Sequence, residues 1–120
     1  MLSKNYRMKK NSQFDYIFKN GKTLKSNKLL IFYSKSKSNK PKIGVVVSKK
    51  IGGSVTRNHT KRVLREIIHQ NLINLNTHYN YIFVARPGIE ELSFSEISEI
   101  VTKLIHQSEI YVETIWIIFN

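Results

Sequence analysis

Apolar positions recur at helical spacing near the start of the chain. Phe14, Ile17 and Phe18 lie at i, i+3 and i+4, which predicts a short amphipathic helix. Ser12 is predicted as its N-cap, and Gly21 is predicted as the glycine that ends it. The basic, polar residues 1–10 that precede it are predicted to form a loose arm.

Two longer helices are predicted in the second half. The first begins near Thr56 and carries an apolar arc formed by Val63, Leu64, Ile67 and Ile68. The second spans residues 93–107, where Ser93 and Glu96 have the spacing of a capping box.

Runs of β-branched and aromatic residues predict strands at 29–33, 42–48 and 81–85, with a short strand possible at 22–25. A polar hairpin-type loop is predicted at 35–41. The element order is helix, strands, helix, strand, helix. It predicts one α+β domain over residues 1–120, a two-layer sandwich of three helices and a mixed sheet of about four strands.

The C-terminal segment 110–120 is strongly apolar, with Ile, Trp, Ile, Ile and Phe at 115–119. It could form an edge strand, part of the core, or a contact surface. Packing within the domain is the favoured interpretation, because a free tail of this composition would promote aggregation.

Charge is distributed very unevenly along the chain. Residues 1–65 contain 18 of the 20 Lys and Arg and a single acid, Asp15. Residues 66–120 contain Arg86 and Lys103 against seven glutamates. This separation favours a polyanionic partner for the first half, nucleic acid above all, with an anionic membrane surface as the alternative.

Composition excludes several other classes of function. The chain has no cysteine, which excludes disulfides and thiolate metal sites, and it has no apolar signal core or membrane-length run. The four histidines form no metal-binding motif, and the basic half has too few acids for a two-metal nuclease site. We therefore expect a cytoplasmic protein without a catalytic centre of its own.

The most informative stretch is a glycine turn at 52–53 between basic residues. The cations on its two sides are Lys49, Lys50, Arg57, Lys61, Arg62 and Arg65. Three of the five arginines fall within nine residues, and arginine suits bidentate phosphate contact. A solvated helix face is the alternative, and Asn58 could either cap the helix or hydrogen-bond a base or a phosphate.

Aromatic residues suggest a second surface. If the first helix packs beside the 29–33 strand, Phe14, Phe18 and Tyr33 would border a groove rimmed by lysines. Bases of a single strand stack on such rings. Core packing is the alternative for each ring, and spacing alone favours it.

Residues 49–66, with Arg57-Asn58-His59 at their centre, resemble the signature of the bacterial ribonuclease P protein subunit. Three more segments resemble this family in order: the opening helix at 9–21, the central strand at 43–48, and Ala-Arg-Pro-Gly at 85–88. Together they lie between residues 9 and 88, so the resemblance extends over most of the chain. Four ordered motifs identify the chain as a member of that family more specifically than one motif would.

The resemblance implies a ribosomal-protein-like fold with a left-handed strand–helix–strand crossover, where chain physics alone favours a right-handed one. It implies that the protein supports 5′ maturation of precursor tRNA, while the RNA subunit performs the hydrolysis with magnesium and the protein binds no metal tightly. Membranes and DNA are not expected partners.

Site residues follow from the same resemblance. The ribonuclease P RNA is expected to bind Lys49, Lys50, Arg57, Asn58, His59, Lys61, Arg62 and Arg65. The leader of precursor tRNA is expected to bind a cleft lined by Phe14, Phe18, Tyr33, Lys10 and Arg86.

One departure from the signature is His59, which stands where the family has a second arginine. A neutral imidazole offers one hydrogen-bond donor where guanidinium offers five, so a weaker RNA contact is expected. Two rival functions are a ribosomal-type structured-RNA-binding protein and a DNA-binding helical module. Strand signals after the basic helix disfavour the second rival.

Overall fold

The computed structural model describes residues 2–111. The helices are α1 (Asn11–Asn20), α2 (Ser54–Asn71) and α3 (Phe94–His106). The strands are β1 (Lys22–Lys25), β2 (Leu29–Lys35), β3 (Ile43–Val46) and β4 (Tyr79–Ala85). All the predicted helices and strands are present, and the capping box of Ser93 and Glu96 is confirmed at the start of α3.

The four strands form one mixed sheet in the order β1-β2-β4-β3. β4 pairs antiparallel with β2 and parallel with β3, which confirms the predicted α+β class. The hairpin predicted at 35–41 is wrong, because β4 lies between β2 and β3 and the loop must pass over its end. The left-handed sense of the β3–α2–β4 connection stays a prediction from the family.

The helices cover both faces of the sheet, so the domain has three layers where two were predicted. Ile82 and Phe83 are neighbours on β4 and point to opposite faces. Phe83 joins the main core with α2 and α3, whereas Ile82 packs with Ile17 of α1. Because β2 and β4 are apolar on both faces, their sequence pattern does not indicate whether helices cover one face of the sheet or both.

The main core lies between the sheet and helices α2 and α3. The predicted arc of α2 is confirmed, since Leu64, Ile67 and Ile68 are fully buried while Val63 packs at the edge. Thr60 is also buried, and its hydroxyl donates to the Thr56 carbonyl one turn earlier at 2.9 Å. Anchoring along this arc leaves the remaining surface of α2 for its cations.

The N-terminal segment is packed against the domain, so the prediction of a loose arm is wrong. Leu2 and Met8 are buried at 2% and 6% exposure. The backbone of Arg7 forms a parallel bridge with Ile43, and the Met8 amide donates to the Ile43 carbonyl at 2.9 Å. Leu2 and Met8 are the apolar residues of this otherwise basic segment that pack against the core. The segment therefore lies beside Ile43, the first residue of β3.

The ends of α1 also differ from prediction. The helix begins at Asn11 with Lys10 in the cap position, and the Ser12 side chain makes no cap bond. Gly21 follows the helix as predicted but has an extended backbone, with φ of −80°. A Cβ at this glycine would lie 2.6 Å from the Ile17 carbonyl oxygen, so close approach explains the glycine.

Gly44 on β3 lets α1 approach the sheet. A Cβ there would lie 2.5 Å from the Phe14 ring, so we expect Gly44→Ala to push the ring away and destabilise the protein by about 1–2 kcal/mol. Gly53→Ser is the matched control: no atom lies within 4 Å of its Cβ position, and serine is a good N-cap for α2. Urea unfolding measures both. Equal stability of Gly44→Ala and the parent would contradict this packing.

The last described residues support part of the C-terminal prediction. Ile110 is fully buried, and Tyr111 forms a bridge with Leu75. The prediction for residues 112–120, including the apolar run at 115–119, lies outside the described residues.

Candidate nucleic-acid interface

One flank of α2 carries a ladder of cations. Arg57, Lys61 and Arg65 follow each other at i, i+4 and i+8, so they lie on one face of the helix, and each is half-buried. Lys49 and Lys50 are exposed on the short 3₁₀ turn before the helix. Gly52 links the two parts with φ of +152°, a conformation that favours glycine.

Arg7 joins this ladder from the N-terminal segment, and sequence reasoning missed it. Partial burial lowers the pKa of Arg65, and the positive charge of nearby Arg7 lowers that pKa further. The Nε atoms of Arg7 and Arg57 are buried without a hydrogen-bond acceptor in the described structure. The signal in the sequence was Met8, an apolar residue directly after Arg7. Its burial holds the segment, and with it Arg7, against the domain.

These cations have no protein counter-ion in the described range. Within residues 2–111, no carboxylate forms an ion pair with Arg7, Arg57, Lys61 or Arg65. Half-buried like charges at close range repel each other, and donors without acceptors are unfavourable. An anion with several oxygens, such as a phosphate diester, would satisfy both deficits.

The other residues of α2 that were predicted to contact RNA are exposed and lie outside this ladder: Asn58, His59 and Arg62. Asn58 and Arg62 occupy the adjoining flank. His59 faces α3, where it lines a cavity of about 350 Å³ with Glu90 and Phe94. The structure therefore groups Asn58 and Arg62 with the ladder and separates His59 from it.

His59 gives a prediction about the RNA surface of α2. We expect His59→Arg to bind RNA more tightly than the parent, because it adds a permanent positive charge with five hydrogen-bond donors on the exposed side of the helix. The side chain is exposed, so the substitution leaves the core unchanged. Filter binding of both proteins measures the effect. Equal affinities of the two proteins would refute it.

A second surface lies between α1 and the sheet. The Phe18 and Phe32 rings meet edge to face with centroids 4.9 Å apart, and Phe18 is 42% exposed. Phe14 lies over Gly44 on the same side of α1. These three rings form one wall of a groove, which we call the aromatic trough.

The assignment of Tyr33 to this groove is wrong, and Phe32 takes its place. Tyr33 is 4% exposed and belongs to the main core on the opposite face, where its ring meets Tyr79 edge to face at 5.5 Å. Side chains alternate along a strand, so a shift of one residue changes the face. Leu29, Ile31 and Tyr33 share the core face, and Leu30 and Phe32 share the other.

The floor of the trough is formed by residues on the same face of the sheet, two positions along the strands from Phe32 and Gly44. Leu30, Val84 and Val46 are paired across β2, β4 and β3, and all three are half-buried. Two of the predicted cationic residues are exposed next to the elements that form it: Lys10 lies at the N-cap position of α1, and Arg86 directly follows β4. An apolar floor, an aromatic wall and neighbouring cations match the bases and phosphates of a single strand.

The described residues provide neither a metal site nor a membrane-spanning helix. No group of three or more His, Cys, Asp or Glu side chains within residues 2–111 could hold a metal ion. None of the described helices has the length and apolar character needed to cross a bilayer.

Comparisons with known proteins agree with this geometry. A family model described as Ribonuclease P matches residues 2–109. The ribonuclease P protein component of Streptococcus pneumoniae serotype 4 is 33% identical over 112 residues, which cover 93% of this chain and 91% of that protein.

Solved structures are similar as well. The Staphylococcus aureus RNase P protein at 2.0 Å has a TM-score of 0.83 and 25% identity, covering 91% of this chain and all of that one. The Thermotoga maritima RNase P protein has a TM-score of 0.79 and 26% identity, with 86% and 97% covered.

Proposed function

The chain belongs to the ribonuclease P protein family, and from that premise we propose how its two surfaces serve the maturation of tRNA 5′ ends. The family provides the protein component of an endoribonuclease holoenzyme. We assign the cation ladder of α2 to the catalytic RNA and the aromatic trough to the single-stranded leader of precursor tRNA.

The observation that carries the first assignment is the set of half-buried cations without counter-ions. Arg57, Lys61 and Arg65 are carried by a helix whose buried arc anchors it to the core, and the backbone of Arg7 is fixed by its bridge to Ile43. Such preorganised donors lose little conformational entropy on binding phosphate. Lys49, Lys50, Asn58 and Arg62 extend the contact on the exposed surface beside the ladder.

The second assignment rests on the chemistry of the trough. Phe18 presents an exposed ring for a base, and Lys10 and Arg86 are exposed next to the elements that form the trough, where they can bind phosphates. Stacking tolerates any base, because every base has a π-face, so binding would depend on a leader being present more than on its sequence.

Hydrolysis is assigned to the RNA subunit with its magnesium ions, and the protein supplies no catalytic residue. The protein acts by neutralising phosphates and by holding the leader, which raises substrate affinity and favours magnesium at the RNA active site. We place this activity in the cytoplasm on the strength of the family.

The salt dependence of RNA affinity tests the proposed contacts between cations and phosphates. Contacts to about six phosphates of single-stranded RNA would give a log–log slope of affinity against salt of roughly −4. Fluorescence anisotropy with labelled precursor tRNA and catalytic RNA, over a potassium chloride series, measures the slope. A slope near zero would contradict binding through phosphate contacts.

Competition separates this function from its rivals. Leader-bearing precursor tRNA should compete better than mature tRNA, and both should compete better than duplex DNA. Equal competition by precursor and mature tRNA, together with tight binding of ribosomal RNA, would favour a ribosomal-type RNA-binding protein. Preferred binding of duplex DNA would favour the helical DNA-binding module.

A further inference from the structure

A cavity of about 490 Å³ lies on the other side of α1 from the aromatic trough. Its floor is the pair Ser34 and Asn80, which lie opposite each other on β2 and β4. Its walls are Gln13 and Tyr16 of α1 and the lysine-rich loop at 36–42. A volume of this size is typical of small-ligand sites.

Helix α1 divides one face of the sheet into two compartments. Ile17 is buried against the sheet and marks the underside of the helix. Phe14 and Phe18 lie on one side of that underside, and Gln13 and Tyr16 lie on the other. The same sheet face thus has an apolar trough on one side of α1 and a polar cavity on the other.

The cavity is positively charged. Lys35, Lys37, Lys40 and Lys42 line it, and none of its lining residues within 2–111 is Asp or Glu. Serine hydroxyls shape the loop: Ser36 Oγ accepts from the Ser38 amide at 3.1 Å, and Ser38 Oγ accepts from the Lys40 amide at 3.0 Å. The Lys42 ammonium donates to the Asn5 carbonyl at 2.6 Å, and Lys35 interacts electrostatically with Glu109. Lys37 and Lys40 are therefore the least committed cations of the cavity.

The cavity also offers a ring and uncommitted polar groups. Tyr16 is 59% exposed, and within residues 2–111 its ring stacks on no other aromatic ring. The side chains of Gln13 and Ser34 have no hydrogen-bond partner in the described structure. Cations, an open aromatic face and free amide and hydroxyl groups are the features that recognise a nucleotide.

We propose that this cavity binds one nucleotide of single-stranded RNA, with its base against Tyr16 and its phosphate between Lys37 and Lys40. The inference rests on the proposed function, since it takes RNA as the partner. The nucleotide can come from a leader that continues past α1, or from an unpaired loop of the catalytic RNA.

The test uses the holoenzyme with Tyr16→Ala, Tyr16→Phe and Lys37→Gln/Lys40→Gln. Lys19→Gln/Lys103→Gln is the matched control, because it removes two exposed charges outside the cavity. Affinity is measured for precursor tRNAs whose leaders have about four and about ten nucleotides, and for the catalytic RNA alone.

We expect Tyr16→Ala and the double lysine variant each to weaken one of these interactions about fivefold or more. Tyr16→Phe should bind as the parent does, because it keeps the ring. Loss confined to the longer leader identifies the leader as the source, and loss with the catalytic RNA alone identifies that RNA. Parent-like binding by Tyr16→Ala in every arm would overturn the proposal, as would equal losses in the control.

Failure here is distinguishable from failure of the proposed function. The parent holoenzyme in the same experiment reports whether the protein stimulates precursor cleavage. If it does so while the Tyr16 and lysine variants match the parent, the cavity proposal alone is wrong. Tyr16 is mostly exposed, so circular dichroism should show unchanged folding of its variants.

Discussion

Replacing both Arg57 and Arg65 by alanine is expected to lower affinity for the catalytic RNA by about 100-fold or more. Hydrogen bonds to a charged group contribute about 1.5–3 kcal/mol each, and each tenfold change in affinity corresponds to about 1.4 kcal/mol. These two arginines are half-buried on a helix that its buried arc anchors to the core, so we expect neighbouring lysines to recover little of the contact. The salt slope should also become shallower by about 1.5 for two lost phosphate contacts.

The variant should remain folded. Arg65 lies in the positive field of Arg7, and the Nε of Arg57 is buried without an acceptor in the described structure, so removing them relieves unfavourable interactions. We expect a melting temperature equal to or above that of the parent. Lys19→Ala/Lys103→Ala removes the same charge elsewhere and should lower affinity much less. Equal losses in the two double variants would mean that net charge, and not this ladder, binds the RNA.

Phe18→Ala is expected to weaken binding of leader-bearing precursor tRNA by about 5- to 150-fold, the range that one stacked base contributes. Binding of mature tRNA should change little, because it has no leader to stack. Phe32→Leu should show a smaller loss of the same kind, since Phe32 supports the Phe18 ring edge to face at 4.9 Å. The ratio of precursor to mature tRNA affinity, measured with the catalytic RNA present, isolates the leader contact.

Tyr33→Phe is the control that decides between the two faces of β2. It removes one hydroxyl from a side chain that is 4% exposed in the main core. We expect no change in the ratio of precursor to mature tRNA affinity. A reduced ratio for Tyr33→Phe, with an unchanged ratio for Phe18→Ala, would contradict the placement of the trough.

Local patterns in the sequence predicted the elements well, because each has a physical signal of its own. The apolar arc of α2 and the capping box of α3 appear as predicted. These signals depend on residues within one or two turns of each other, so no knowledge of the tertiary structure is needed.

Apart from the ends of α1, the errors concern long-range relations between elements. Phe32 and Tyr33 are both aromatic on a strand that is apolar on both faces, so hydrophobicity could not decide which one meets α1. The loop at 35–41 had hairpin composition, but β4 inserts between the strands it joins. Arg7 joined the cation ladder only through its backbone bridge to Ile43. Register and strand order set these placements, and both depend on the whole fold.

Stimulation of precursor tRNA cleavage at low magnesium tests the central claim most directly. The purified protein is added to a bacterial ribonuclease P RNA, and the rate and the position of cleavage are measured. We expect faster cleavage at the correct 5′ end, because phosphate neutralisation and leader binding both favour the bound complex. An unchanged rate with a cognate RNA that the protein still binds would contradict the account and favour a ribosomal-type role for this fold.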